Sequence, residues 1–243
     1  QLNLELGGKS AALIFDDCDL ENTLNNIITG VYSGNGESCI SSSLCLLQEN
    51  IYDEFITKLI ERVHKIKLGP PLETSSNMGP LAHEKQVKFI ENQVKKSVEQ
   101  GAKILVGGKR SENLKSSLYF EPTIIACSDR SISTSKTELF GPVLSVIKFK
   151  SEEEAISIAN DSEYGLSSGV FTESHERAER VSRSIDAGIC FINCYRFISP
   201  HVSFQGRKHS GYGFESGADA IQSMQVKKSI WTSTSRVTED PFK

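Results

Sequence analysis

The chain has 243 residues, 38% of them apolar and 24% charged, with a formal net charge of -4; this suits one large globular domain, or one domain with appendages, and excludes a disordered or fibrous chain. Lysines and arginines are interleaved with acids rather than gathered into a basic block, so nucleic acid is excluded as a partner. Apolar runs such as Ala11 to Phe15 and Gly188 to Ile192 are far too short to cross a bilayer, so no membrane partner is expected.

Leu2, Leu4 and Leu6 alternate with Asn3 and Glu5 in a strand period that Gly7 and Gly8 end. A short apolar strand at Leu13 to Phe15 follows, and Asp19 stands as an N-cap ahead of a helix on Leu20, Leu24, Ile27, Ile28 and Val31. That helix fades into Ser33-Gly34-Asn35-Gly36, a glycine-rich loop that leads to Cys39. Leu44 to Gln48 reads as a strand, Asp53 to Lys65 as a helix and Lys67 to Pro80 as a connection. Glu84 to Gln100 is a second amphipathic helix stopped by Gly101, and Lys103 to Val106 is a strand. Strands are expected at Tyr119 to Ala126, Val143 to Phe149, Gly169 to Phe171 and Gly188 to Asn193. Between them lie a helix over Ala155 to Asn160, opened by a capping box of Ser151 and Glu154, and another over His175 to Ile185. Phe197 to Gly217 is loop-rich, and a last apolar strand is expected around Ile230 and Trp231. Repeated alternation of strand and helix predicts an α/β fold with a largely parallel sheet covered by helices.

Six cysteines, at 18, 39, 45, 127, 190 and 194, form no CxxC pair and no dense disulfide framework, which points to a reducing compartment, the cytoplasm, and to no metal site. The chain opens on Gln1 directly into the first strand, so it is expected to begin in mid-fold as a piece of a longer protein. Cys39 stands where a nucleophile would: a glycine-rich loop lets substrate and backbone approach closely, and neighbouring N–H groups can hold an oxyanion. A cysteine after a loop is nevertheless more often structural, and Glu5 taken alone reads as a solvated strand residue.

Several ordered motifs change that balance. Glu5-Leu6-Gly7-Gly8-Lys9-Ser10 and Gly36-Glu37-Ser38-Cys39 resemble the two active-site signatures of the NAD(P)-dependent aldehyde dehydrogenases. Glu138-Leu139-Phe140-Gly141-Pro142-Val143 resembles the family's E-x-F-G-P-V, Asn160-Asp161 with Tyr164-Gly165-Leu166 its N-D-x-x-Y-G-L, and Asn193 falls in its late asparagine strand. The resemblance covers nearly the whole chain. It implies that Cys39 attacks an aldehyde, that NAD or NADP receives the hydride, and that Glu5 activates the water that releases the acid. It further implies that Glu138, Phe140, Leu6 and Gly7 meet the cofactor, and that Phe204, Ser38 and Ile40 line the pocket for a small-molecule aldehyde.

The same resemblance divides the chain into the end of a cofactor domain (1–7), a catalytic domain (8–213), a return segment (214–226) and an oligomerisation strand with tail (227–243), with a homodimer or homotetramer as the assembly. Departures stand beside it: Gly34 replaces an asparagine, Leu44 an arginine, Gln205 a glycine and Phe214 an arginine. Those departures keep a non-catalytic, structural or binding relative in play. An acylating dehydrogenase that passes its thioester to coenzyme A is the chemical rival, against which the presence of Glu5 speaks.

Overall fold

The structure, a computed structural model, describes residues 2–234 and 240–243. Its strands are β1 (Leu4–Glu5), β2 (Ala11–Ile14), β3 (Leu44–Gln48), β4 (Lys103–Val106), β5 (Thr123–Ala126), β6 (Val143–Phe149), β7 (Tyr164–Gly165), β8 (Ser167–Phe171), β9 (Ile189–Ile192), β10 (Arg207–Lys208) and β11 (Gly211–Tyr212). Its helices are α1 (Leu20–Tyr32), α2 (Tyr52–Val63), α3 (Glu84–Glu99), α4 (Ser133–Lys136), α5 (Glu152–Asn160), α6 (His175–Ser184) and α7 (Gly217–Ser223).

Seven strands form one sheet in the order β4-β5-β6-β3-β2-β8-β9, parallel throughout except for the antiparallel edge pair β4 and β5. The central strands are near-continuous apolar runs because helices cover both of their faces. Along β2 the alternation is direct: Ala11 and Leu13 face a layer containing Val87, Ile90, Val94, Ala155 and Val181 of α3, α5 and α6. Ala12 and Ile14 face the opposite layer, with Leu24, Ile27 and Val31 of α1 and Phe55 and Leu59 of α2. Helix starts follow from local chemistry. Asp19 accepts the Asn22 amide at 3.0 Å to cap α1, and Ser151 accepts the Glu154 amide at 3.2 Å to cap α5. The expected capping box is half formed, since the Glu154 carboxylate turns to the Lys150 amide rather than to that of Ser151.

Two expected strands are shorter than their apolar patterns. The alternating run at 2–6 pairs only through Leu4 and Glu5, against Tyr212 and Gly211. The run at 119–126 joins the sheet only from Thr123, because Phe120 is bridged to Arg110 and Pro122 has no amide to give a ladder. The terminal strand expected around Ile230 and Trp231 is not formed within the chain: 225–234 has no regular structure, and 235–239, the tail beyond it, lies outside the described residues. Among the described residues, no helix is long and apolar enough to cross a membrane.

Trp231 is 94% exposed and Ile230 is 78% exposed. Covering each would contribute about 2 kcal/mol. In the full-length protein, replacing Ile230 with Lys and Trp231 with Ser is expected to shift the mass measured by light scattering towards monomer, with the melting temperature of the catalytic fold little changed. An unchanged mass would contradict a role for this segment in assembly.

Candidate active site

Parallel strands place all their N-terminal ends at one edge of a sheet, and three of the motifs enter neighbouring strands there. Glu5 to Ser10 lead into β2, Cys39 to Ser43 into β3, and Glu138 to Pro142 into β6, and these strands are adjacent in the order β6-β3-β2. The site therefore gathers at the amino edge, opposite to the carboxyl edge at which open α/β sheets usually bind ligands.

The Cys39 loop is shaped by residues without room for a side chain. Gly34, Asn35 and Gly36 all take left-handed backbone angles, and a Cβ on Gly36 would strike the backbone of Gly141 and Pro142. Nothing lies near a Cβ at Gly34, and asparagine tolerates the same angles, so this departure leaves the loop geometry intact. The Asn35 side chain accepts the Gly79 amide at 2.9 Å and donates to the Pro80 carbonyl at 3.0 Å, while Glu37 accepts the Ala82 amide at 2.9 Å. The Ser41 amide closes a turn onto the Ser38 carbonyl at 3.0 Å, with half-exposed Cys39 and buried Ile40 at its tip.

The Glu5 and Glu138 segments close on that loop. A Cβ on Gly8 would press on the Cys39 carbonyl, and one on Gly7 would fall on the Glu138 carboxylate. Glu138 Oε1 accepts the Gly8 amide at 3.0 Å across 130 residues of sequence. Its other oxygen has no hydrogen bond among the described residues and is free to accept a hydroxyl. Phe140 adopts a left-handed φ of 49° and is 41% exposed. A bare carboxylate oxygen, a presented ring and a position without Cβ fit the nicotinamide-ribose end of NAD or NADP. Leu6 is exposed, with its amide on the Ser210 carbonyl at 3.0 Å. Phe204 is half-buried and bonded through its backbone to Glu215 at 2.6 and 2.8 Å, and Ser38 is half-buried.

Electrostatics bind these groups into one unit. Both Glu5 oxygens are shut off from water with no hydrogen-bond partner, and burial, followed by the charge of Glu215, raises its pKa above the ordinary value of 4.5. Burial also raises Glu138, against the Gly8 amide and the charge of Lys9. Burial pushes the Cys39 thiol up too; the Ile40 amide and its own amide oppose this, and the charges of Glu5 and Glu138 add to it. A positive field of the kind that activates a nucleophilic cysteine is thus absent from its neighbours among the described residues, and Cys39 rests as a thiol at neutral pH.

Lys9 carries no role in the motif-based expectations. It is 4% exposed, its Nζ has no hydrogen-bond partner, and burial and the Arg130 charge lower its pKa to about 7 despite the opposing charges of Cys127 and Glu138. A lysine between a double glycine and a run of apolar residues was its signal. Asn193 holds the Thr172 backbone: its side-chain amide accepts from the Thr172 amide at 3.0 Å and donates to the Thr172 carbonyl at 2.8 Å. Leu44 is fully buried in the core, so the lost guanidinium is replaced by apolar packing. Phe214 is 39% exposed, and the Gln205 carbonyl crowds Gly188. Among the described residues, no cluster of His, Cys, Asp or Glu could hold a metal.

Cys45 and Cys127 are buried, whereas Cys18, Cys190 and Cys194 are half-exposed like Cys39 and compete with it for modification. With limiting iodoacetamide the folded chain is expected to label first at Cys39, with a pH midpoint above the ordinary thiol value. Glu5→Gln should speed that labelling about threefold at pH 8.5, since the Glu5 charge holds the thiol up. First labelling at Cys18, Cys190 or Cys194, or slower labelling in the variant, would contradict this geometry.

The chain matches the aldehyde dehydrogenase family over residues 1–230. It is 43% identical over 244 residues to (Z)-2-((N-methylformamido)methylene)-5-hydroxybutyrolactone dehydrogenase of Acinetobacter baylyi, covering 100% of this chain and 50% of that protein. It is 37% identical to the chloroplastic betaine aldehyde dehydrogenase of Atriplex hortensis, covering 99% and 47%. A betaine aldehyde dehydrogenase double mutant from Staphylococcus aureus, solved with NAD+ and a modified cysteine, superposes with a TM-score of 0.94 at 38% identity, covering 99% of this chain and 49% of that one. The chain spans about half the length of the curated relatives it matches. From the matched residues and the shared fold together, the chain belongs to the aldehyde dehydrogenase family.

Proposed function

We propose that the protein containing this chain oxidises an aldehyde to a carboxylic acid with NAD or NADP, with Cys39 as nucleophile and Glu5 as general base. The observation that carries the reading is the convergence of Cys39, Glu5 and Glu138 at the amino edge of β2, β3 and β6, across glycines that cannot bear a side chain. Residues 8–213 would supply the catalytic domain and 1–7 the end of the cofactor domain. The 214–226 segment would return towards that domain, and 227–243 would join a neighbouring protomer.

The Cys39 thiol gives up its proton to solvent and its sulfur bonds to the aldehyde carbon, whose π electrons move to oxygen. The Ile40 and Cys39 amides, which already favour the thiolate, hold the anionic sulfur as it forms. When bound, NAD or NADP takes up the hydride that the carbon loses as its carbonyl re-forms, which leaves a thioester on Cys39. Glu5 then takes a proton from water, the water oxygen adds to the thioester carbon, and the carbon–sulfur bond breaks to release the acid as Glu5 returns the proton to the leaving sulfur. A carboxylate raised by burial is a stronger base than one in water, and the Glu5 oxygens, closed to bulk solvent, have no protein partner to compete with the attacking water. Glu138 would accept a ribose hydroxyl on its free oxygen, while the Gly8 amide opposes the upward push of burial on its pKa.

In the full-length protein, Glu5→Gln is expected to keep a pre-steady-state burst of NADH near one equivalent per site while steady turnover falls by about 100-fold, within the span general base catalysis contributes. Stopped-flow absorbance separates the two phases. Loss of burst and turnover together would place Glu5 before the thioester and overturn this order of steps.

A further inference from the structure

Arg196 is a cation that neither the fold nor the proposed chemistry uses. Its Nε and Nη2 atoms are shut off from water and have no hydrogen-bond partner, and it forms no ion pair among the described residues. A guanidinium carries five donors and keeps its charge throughout the pH range of life, so unpaired burial costs heavily unless an anion completes it. The backbone holds it there under constraint, since Asn193 and Arg196 both take left-handed angles, with φ of 52° and 63°. Such angles persist in bulky residues only where the surroundings over-determine them. Here the surroundings do: the Asn193 side chain is doubly bonded to the Thr172 backbone, and the Asn193 carbonyl accepts from Asn22 at 3.0 Å. The Tyr195 hydroxyl meets Ser167 at 3.1 Å, and its ring packs against Phe191 at 4.8 Å between centroids.

Arg196 opens onto a cavity of about 350 Å³ lined by Asn25, Asn26 and Thr29 of α1 and by Tyr195 and Phe197. The walls of this cavity are joined to the Cys39 loop by two chains of contact. Gly30, next to Thr29, is wedged between Ser42 of the Cys39 loop and the Tyr195 ring, and its carbonyl accepts the Ser42 amide at 3.2 Å. Ser167, bonded to Tyr195, also donates to Ser10 at 2.8 Å, two residues from the Gly8 that presses on Cys39. Asn25, Asn26 and Thr29 belong to α1, which ends at Tyr32 ahead of the loop carrying Cys39.

We propose that Arg196 is a specificity-determining residue that binds the anionic end of the substrate, so that the aldehyde oxidised at Cys39 carries a carboxylate. The proposal rests on the dehydrogenase reading above for the fate of the aldehyde, but the anion site stands on Arg196 and its cavity alone. The guanidinium lines the cavity and offers its positive charge and a charge-assisted donor to a carboxylate, and Phe197, 76% exposed, offers an apolar wall to the carbon chain. A quaternary ammonium aldehyde, the substrate for which several relatives are named, would meet a like charge in this cavity.

The test uses the full-length protein and two readouts. Succinate, which cannot react, is titrated calorimetrically into wild-type, Arg196→Gln and Arg196→Lys proteins. Binding should weaken at least about tenfold in the Gln variant and less in the Lys variant, as loss of a charge-assisted pair predicts. In parallel, kcat/KM is compared for succinic semialdehyde, butanal and betaine aldehyde with NAD and with NADP. The wild type should favour the anionic aldehyde over the neutral one through KM, and the ratio should fall at least about tenfold in the Gln variant. A wild type that binds no succinate overturns the anion site. Oxidation with no preference for the anionic aldehyde, or a Gln variant that lowers both aldehydes in parallel, overturns its role in specificity. Failure to oxidise any of the three aldehydes while succinate binds through Arg196 would instead count against the dehydrogenase reading and leave the anion site standing.

Discussion

The bond from the Gly8 amide to Glu138, 3.0 Å long and spanning 130 residues, joins the two halves of the site. It closes only because Gly7 and Gly8 carry no Cβ: one would displace the Glu138 carboxylate and the other the Cys39 carbonyl. Gly36 imposes the same condition from the other side, against Gly141 and Pro142. Three loops that enter adjacent parallel strands are thereby held in contact, and the rigidity of a sheet buried on both faces fixes their separation. The reactive groups are positioned by close backbone packing rather than by a network of side chains.

That closeness sets the electrostatics. Glu5, Glu138 and Cys39 are all partly buried, all carry a negative charge when ionised, and each is pushed towards its neutral form. Lys9 lies behind them as a buried cation close to neutrality at about pH 7, and its charge is among the forces that draw Glu138 back towards the carboxylate. A site poised in this way holds a thiol that can be activated and a carboxyl that can cycle its proton. The same burial makes every charge in it costly, so the chemistry and the strain on stability share one cause.

Much of this was legible in the sequence, for local reasons. Strand alternation, the Asp19 cap and the glycines ahead of Cys39 are short-range signals, and each leads to the element it implies. What escaped was long-range. Nothing in the period of residues 2–6 says that only Leu4 and Glu5 find a partner, because that partner lies at Gly211 and Tyr212. The edge of the sheet that carries the site depends on strand order, which the alternation of elements leaves open. The helix-covered apolar strands were visible as runs, whereas the buried Lys9 and the half-buried, unpartnered Arg196 were not, since a lysine or arginine reads as surface until its neighbours are known. Ile230 and Trp231 formed a strand-like pattern, yet within this chain they meet no partner strand.

The account stands on covalent chemistry at one sulfur. The direct measurement is intact and peptide mass spectrometry of the full-length Glu5→Gln protein, quenched in acid after mixing with an aldehyde and NAD or NADP. The account expects the Cys39 peptide to gain the mass of the aldehyde less two hydrogens, the thioester that awaits its water, with no gain when the cofactor is omitted. An acyl group on Cys194 or another cysteine, or product formed with Cys39 replaced by Ala, would contradict it.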